Sequence, residues 1–379
     1  MTVLTLPTIL LLIDLLLNRK VYVNVYSLHS SSYSRPRRSP GARPALVLVL
    51  LVCLAGCGSS SSSAHGSSKF AGKGRVSAIQ GASIMLDWVV NSDHGGLYTA
   101  MQRGYFAQRH IAVQPRVPSS ADVPVRLVAA GKVDFGITYE TDLLAARAHH
   151  VPVRSVMCIM QHPLDTVMTL RTSGITRPRQ LAGKTIGEAG SPSDNPIISA
   201  MMTHDGASIS QARTVNVGYS LLPALLTGKV DAVVGVYWTW EAIQAQQKGH
   251  PVNVMRVERW GVPNYCELVL AASEQTIRTR PALVRGTVQA LQQGYAYAEA
   301  HPATAWQALH AQDNGLNQAL VTRSLRLLRP AITDASTIGY QDAAQWRNYA
   351  GWLARRKLID APVNADQAFT NQFLQPGVR

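Results

Sequence analysis

Two stretches of the chain are built to the same plan. RLVAAGKVDFGITYE (126–140) and PALLTGKVDAVVGVYW (223–238) share GKVD at 131–134 and 228–231. In each, an apolar helical segment stops at a glycine, the residue that closes helices because it tolerates a left-handed backbone. A Lys-Val-Asp turn follows, and a short apolar run then leads into aromatic and acidic residues. A unit made twice narrows the fold to two α/β halves of one design. The ends Tyr139–Glu140 and Tyr237–Glu241 would occupy equivalent places facing one cleft, since ligands of open α/β sheets bind beyond the carboxyl ends of the strands.

The neighbouring sequence continues the alternation. ASIMLDWVV (82–90), IAVQPRV (111–117), KVDFGIT (132–138), VRSVMCIM (153–160) and TVMTL (166–170) read as strands. HGGLYTAMQRGYF, closed by Gly104, ADVPVRLVAAG, with Asp122 near its N-cap, and DLLAARAHH read as helices between them. Strands alternating with helices predict an α/β architecture with largely parallel sheets. From 274 to 379 the pattern is mostly helical, with apolar residues three and four apart, and Pro281 and Pro302 punctuate it. Trp306, Trp346 and Trp352 in this region read as packing residues.

With 379 residues the chain is long enough for two domains, and 15% charged against 46% hydrophobic residues predicts a globular fold. The net charge of +14 invites a nucleic-acid reading, but its distribution excludes one. Arg19, Lys20, Arg35, Arg37, Arg38 and Arg43 stand against Asp14 in the first 57 residues, and no later basic run is interleaved with aromatics. A mildly basic surface fits a protein beside an anionic membrane.

RPRRSPGARP, then ALVLVLLVCLAGC, then GSSSSSAHGSS is a positive segment, an apolar stretch too short to span a bilayer, and a small-residue cleavage site. LAGC (54–57) matches the bacterial lipobox, which implies cleavage before Cys57, diacylation of its sulfur and residence in the cell envelope on the outer face of the cytoplasmic membrane or in the periplasm. An ordinary signal peptide with an incidental cysteine is the bland alternative. Residues 1–57 are thus a leader and 58–75 a flexible Ser/Gly-rich tether. The apolar TILLLIDLLL upstream of a complete signal reads as an early start codon, with a second anchor as the alternative. Of four cysteines, Cys158 and Cys266 remain; export permits a bridge, while two buried free thiols are the commoner outcome for such a pair. No CxxC or Cys/His spacing points to a metal, and no cofactor motif occurs.

LDWVVNSDHGGLYTAMQRGYFAQRHIAV, KTIGEAGSPSDNPII and GVYWTWEAIQAQQKGHPVNVMRVERWGVPNYCELVLAAS resemble solute-binding proteins of ABC importers in the branch that carries thiamine pyrimidine precursors. The Asp-Trp-x-x-Asn-x-x-His pattern of that branch falls on Asp87, Trp88, Asn91 and His94. The resemblance covers most of 80–275 and implies a two-lobed periplasmic-binding-protein (type II, Venus-flytrap) fold with mixed sheets and a helical C-terminal part. It implies one lobe from 76–165 plus 268–379, a second from 166–267, crossovers near Asp165–Leu170 and Tyr265–Leu268, a permease and ATPase as partners, and a monomer.

The wider superfamily also binds sulfonates, taurine and nitrate, and the cleft lining separates its branches. Oxyanions need N–H, hydroxyl or Arg donors. An aminopyrimidine needs flat apolar walls and a carboxylate that accepts from its amine. The expected lining is Trp88, Tyr139, Glu140, Tyr237, Trp238, Glu241, Tyr265 and Glu267, aromatics and acids without an arginine, which favours the heterocycle. Asn91, His94, Glu188, Ser193 and Asp194 join them from the resemblance. Each has a plain structural alternative: Trp88 as a plug between lobes, His94 in a cap or core, Ser193 and Asp194 as helix caps, Glu267 paired with a hinge arginine. Glu188 stands where the branch often has an aromatic. Tyr265 and Glu267 are two apart on a strand and share a face. Eukaryotic relatives are pyrimidine synthases that consume a histidine with iron and a cysteine-rich motif; the isolated cysteines and the export leader here favour a binder over an enzyme.

Overall fold

The computed structural model describes residues 78–333 and 337–379. The leader, the tether and Cys57 lie outside the described residues. Among the described residues no helix is long and apolar enough to cross a membrane.

Ten strands form two five-stranded sheets among these residues. The strands are β1 (Gln80–Met85), β2 (Ile111–Arg116), β3 (Phe135–Thr138), β4 (Val153–Met160), β5 (Asp165–Leu170), β6 (Thr185–Glu188), β7 (Arg213–Asn216), β8 (Ala232–Tyr237), β9 (Val252–Arg256) and β10 (Leu268–Ser273). The first sheet runs β2-β1-β3-β10-β4 and the second β7-β6-β8-β5-β9. The orders are equivalent strand for strand, with β3 and β8, the two strands after GKVD, in the same position.

The repeated motif has a physical cause. Gly131 and Gly228 take φ of +64° and +70°, and the following Lys132 and Lys229 N–H groups donate to Leu127 O and Ala224 O, both at 2.9 Å. These bonds satisfy carbonyls at the ends of the helices Val123–Ala129 and Leu221–Leu226. The aspartate of each motif then fastens its strand to the neighbour: Asp134 Oδ2 accepts from Ser83 N of β1 and Asp231 Oδ2 from Thr185 N of β6, each at 2.8 Å.

The expectation of largely parallel sheets needs one correction in each half. β10 runs antiparallel between β3 and β4, and β5 antiparallel between β8 and β9. The chain leaves the first sheet after β4 and returns after β9, and each arriving strand enters the other sheet against its grain. β1 also ends at Met85, so Asp87 and Trp88 sit in the turn beyond it, not in a longer strand.

The C-terminal part is helical, as its spacing predicts, through Pro281–Ala300, Pro302–His310, Gln318–Thr333 and Ala343–Arg355. Pro302 opens the next helix as well as ending the spacing of the one before. Pro281–Ala300 crosses Gly95–Gln102 so closely that a Cβ on Gly96 would overlap the Tyr295 ring. That contact explains Gly96, while Gly95 before it faces Leu325. Trp346 and Trp352 are buried and Trp306 stacks on His310 with centroids 4.7 Å apart.

Cys158 and Cys266 are not free thiols: they form a disulfide with Cα atoms 5.9 Å apart. Antiparallel pairing of β10 with β4 brings the two residues together across 108 positions.

Candidate binding cleft

Where the strands β1, β3, β6, β7 and β8 end, the turns beyond them converge on one cleft of about 600 Å³, mouth included. Asp87, Trp88, Tyr139 and Thr141 enter from the first sheet. Ser191, Ser193, Asp194, Tyr219, Leu221, Gly235, Tyr237 and Glu241 enter from the second, and Asp165, Tyr265 and Glu267 from the two crossovers.

The carboxylates are held by backbone and phenol donors. Glu267 Oε2 accepts from Leu164 N at 2.7 Å, Asp165 N at 3.0 Å and Tyr265 OH at 3.0 Å, while Tyr237 OH reaches Oε1 at 3.4 Å. Asp165 Oδ1 accepts from Gly235 N at 3.1 Å. Asp194 Oδ2 accepts from Ala189 N at 2.9 Å and Ser191 N at 3.0 Å. Glu241 Oε2 accepts from Tyr237 N at 2.8 Å. Burial pushes Glu267 and Glu241 up to about 7 despite these donors. Asp165 and Asp194 also rise, through burial first and neighbouring carboxylates second.

Aromatic groups supply the flat walls. Trp88 meets Tyr219 across the cleft, edge to face, with centroids 6.1 Å apart, and Tyr219 OH lies 3.5 Å from Asp87 O. Tyr265 is buried and stacks on Tyr349 at 4.6 Å. A polar link also crosses between the halves: Ser191 Oγ donates to Asp142 Oδ2 at 2.9 Å.

Of the residues singled out from the sequence, Trp88, Tyr139, Ser193, Asp194, Tyr237, Glu241, Tyr265 and Glu267 line the cleft. Asn91, His94, Glu140, Glu188 and Trp238 do not. Asn91 Oδ1 accepts from Asp93 N at 2.7 Å, a local cap. His94 is fully buried and its Nε2 lies 2.9 Å from Asp87 Oδ1, so it positions a cleft residue from outside the lining. Glu140 Oε2 accepts from Cys266 N at 2.7 Å and Gln345 Nε2 at 3.0 Å, beside the disulfide. Glu188 folds onto Gly190 N. Trp238 turns away, with Arg256 stacked 4.3 Å over its ring. Glu267 has phenol and backbone partners instead of a hinge arginine, and Asp194 binds the loop before its helix instead of capping it.

Sequence reasoning missed Asp165, Tyr219 and Ser191 as lining residues. Asp165 carried a signal, as a crossover position. Tyr219 and Ser191 sit in loops without periodicity, and their place depends on where β7 and β6 end.

Cleft and topology define a class. Two equivalent mixed sheets joined by two crossovers, with a cavity between them, make the two-lobed periplasmic-binding-protein fold. The alkanesulfonate-binding protein SsuA from Xanthomonas axonopodis pv. citri, solved with MOPS bound, superposes with a TM-score of 0.63 at 17% identity over 77% of this chain and 99% of its own. Residues 91–305 match the NMT1/THI5 like family, and the chain belongs to it. A formylaminopyrimidine-binding protein of Halalkalibacterium halodurans is 30% identical over 78% of this chain and 91% of its own length. A 4-amino-5-hydroxymethyl-2-methylpyrimidine phosphate synthase of Legionella pneumophila is 24% identical over 77% and 92%.

Proposed function

We propose that this protein is the extracytoplasmic substrate-binding component of an ABC importer and captures a small aminopyrimidine, a thiamine precursor, between its two halves. The observation that carries the reading is the lining: five carboxyl side chains and five aromatic ones, with no lysine, arginine or histidine among them. Five carboxyl groups with no cation among them repel an oxyanion, and the Tyr237 and Tyr265 hydroxyls are already turned to Glu267. Such a surface suits a flat ring edged with N–H groups. Stacking contributes about 1 kcal/mol per aromatic contact, and a hydrogen bond to a charged group about 1.5–3 kcal/mol, so a few such contacts reach micromolar affinity. The formylaminopyrimidine-binding relative supports the same ligand class.

Binding requires motion. Both halves wall the site, so they part about the crossovers near Asp165–Leu170 and Tyr265–Leu268 to admit a ring, and ligand contacts to both halves favour reclosure through their differential affinity for the closed form. We take 76–165 with 268–379 and 166–267 as the two lobes. The function is binding, not catalysis: His94, the histidine of the Asp-Trp-x-x-Asn-x-x-His pattern, is buried against Asp87 outside the cleft lining. We further propose that Cys57 carries a lipid and that the mature protein is a tethered monomer that presents its closed form to a permease and ATPase. A Cys57→Ala variant should lose membrane retention on cell fractionation; retention unchanged would remove the lipid anchor from the account.

The test of the ligand is a thermal-shift panel on the exported part. Formylaminopyrimidine or hydroxymethylpyrimidine should raise Tm in a concentration-dependent way. Stabilisation by taurine, alkanesulfonates or nitrate alone would overturn the assignment.

A further inference from the structure

We propose that the cleft takes its ligand as a protonated amidine edge, the ring proton being supplied by a carboxyl trio of Glu267, Asp165 and Asp194. This inference rests on the aminopyrimidine reading and specifies the charge state in which that ligand is held.

The three groups form a connected series. Glu267 accepts from the backbone N–H of Asp165 at 3.0 Å, and Asp165 accepts from the N–H of Gly235 at 3.1 Å. On the opposite flank of Gly235, a Cβ added to that residue would lie only 2.8 Å from Asp194 Oδ1. Glycine with φ +78° is what lets the two aspartates approach one another there. The donors on Asp194 converge on Oδ2, from Ala189 N and Ser191 N, while Gly235 N reaches Asp165 Oδ1.

The surroundings provide no counter-charge. The ionisable side chains facing the trio are Tyr237 and Tyr265 at Glu267, and Asp142 and Glu188 near Asp194; Asp87, Glu241, Tyr139 and Tyr219 complete the cleft. His94 is committed to Asp87, and no lysine or arginine lines the cavity. Carboxylates this close in a buried site cannot all ionise, so they share protons, as paired carboxyls do. Burial pushes Glu267 up to about 7 against its donors, and burial with repulsion between carboxylates pushes the two aspartates upward.

An aminopyrimidine places an exocyclic amine beside a basic ring nitrogen. One carboxylate of the trio accepts from the amine, and a neighbouring carboxyl gives its proton to the ring nitrogen. An O–H bond breaks, a ring N–H bond forms, and the complex becomes an ion pair with no change in total protons. Above the pH at which the trio ionises, binding must draw that proton from solvent.

Isothermal titration of the wild-type protein with formylaminopyrimidine from pH 6 to 9 reads this directly. Affinity should be nearly constant at the acidic end and fall about tenfold per pH unit above about 8, the slope of one linked proton. At pH 8.5, enthalpies in Tris and phosphate should differ by the uptake of about one proton. Asp165→Asn and Asp194→Asn should bind more weakly and take up less than half a proton, while Glu140→Gln, a buried acid outside the cleft, should keep the full uptake. Binding with a flat pH profile and no buffer dependence, or full uptake in both Asn variants, overturns the proton-supplying trio and leaves the aminopyrimidine reading standing. No binding at any pH overturns both.

Discussion

Glu140 shows how one residue can look like a ligand contact and serve the scaffold. It follows Tyr139 at a strand end, and Tyr139 lines the cleft, yet Glu140 is buried on Cys266 N and Gln345 Nε2. Burial raises its carboxyl to about 8 against the opposing pull of those two donors. A raised carboxyl keeps its proton longer in the folded protein than in the unfolded chain. The resulting stabilisation is complete below the unfolded value, 4.5, and is lost as pH rises through about 8. Tm of the ligand-free protein should therefore fall between pH 5 and 8.5, and less steeply in Glu140→Gln; a wild-type slope in that variant would assign the loss to other carboxyls. The same residue scale sets how far the site was legible. Tyr265 and Glu267, two apart and read from the sequence as sharing a strand face, lie in the crossover just before β10, and both line the cleft. Strand position is the rule that separates Tyr237, the last residue of β8, from Trp238 in the turn after it: Tyr237 faces the cleft and Trp238 faces Arg256. Naming both from the sequence overlooked that rule. Tyr219 and Ser191 had no such rule to reveal them.

Among the elements, the helix–glycine–strand unit was legible because its cap and turn are local, although the aspartate that fastens β3 to β1 and β8 to β6 reaches back 51 and 46 positions. The antiparallel entries of β5 and β10 were not, since they follow from which sheet the chain returns to, a non-local choice that hydrophobic spacing does not encode. The disulfide belongs to the same class of fact. It ties β4 to the segment between Tyr265 and Glu267, so it braces two cleft residues as well as the fold. Closing a loop of 108 positions contributes about 4.7 kcal/mol on the chain-entropy estimate. Reduction, or the Cys158→Ala/Cys266→Ala double variant, should lower Tm by roughly 10 °C and weaken ligand binding. An unchanged Tm on verified reduction would mean that the crossover is held by Glu140 and the sheet alone.

At the scale of the whole molecule, charge is sorted by depth. Nine acidic side chains are buried among the described residues while no lysine or arginine is, although the chain is basic overall. Isolated buried carboxylates cost several kcal/mol each, and the fold offsets part of this with backbone donors and shared protons. The rest is the opening for a ligand that brings N–H groups of its own. Fold class and the acid-and-aromatic character of the cleft could be anticipated from the repeated unit and the strand-end residues. The paired aspartates about Gly235 could not, because their proximity exists only once β5 lies beside β8. The most direct test of this account is an equilibrium titration of the purified exported part at pH 6.5 with formylaminopyrimidine and, separately, with an alkanesulfonate. The account predicts saturable one-to-one binding of the pyrimidine at micromolar or lower Kd and none of the sulfonate; the reverse preference would contradict it.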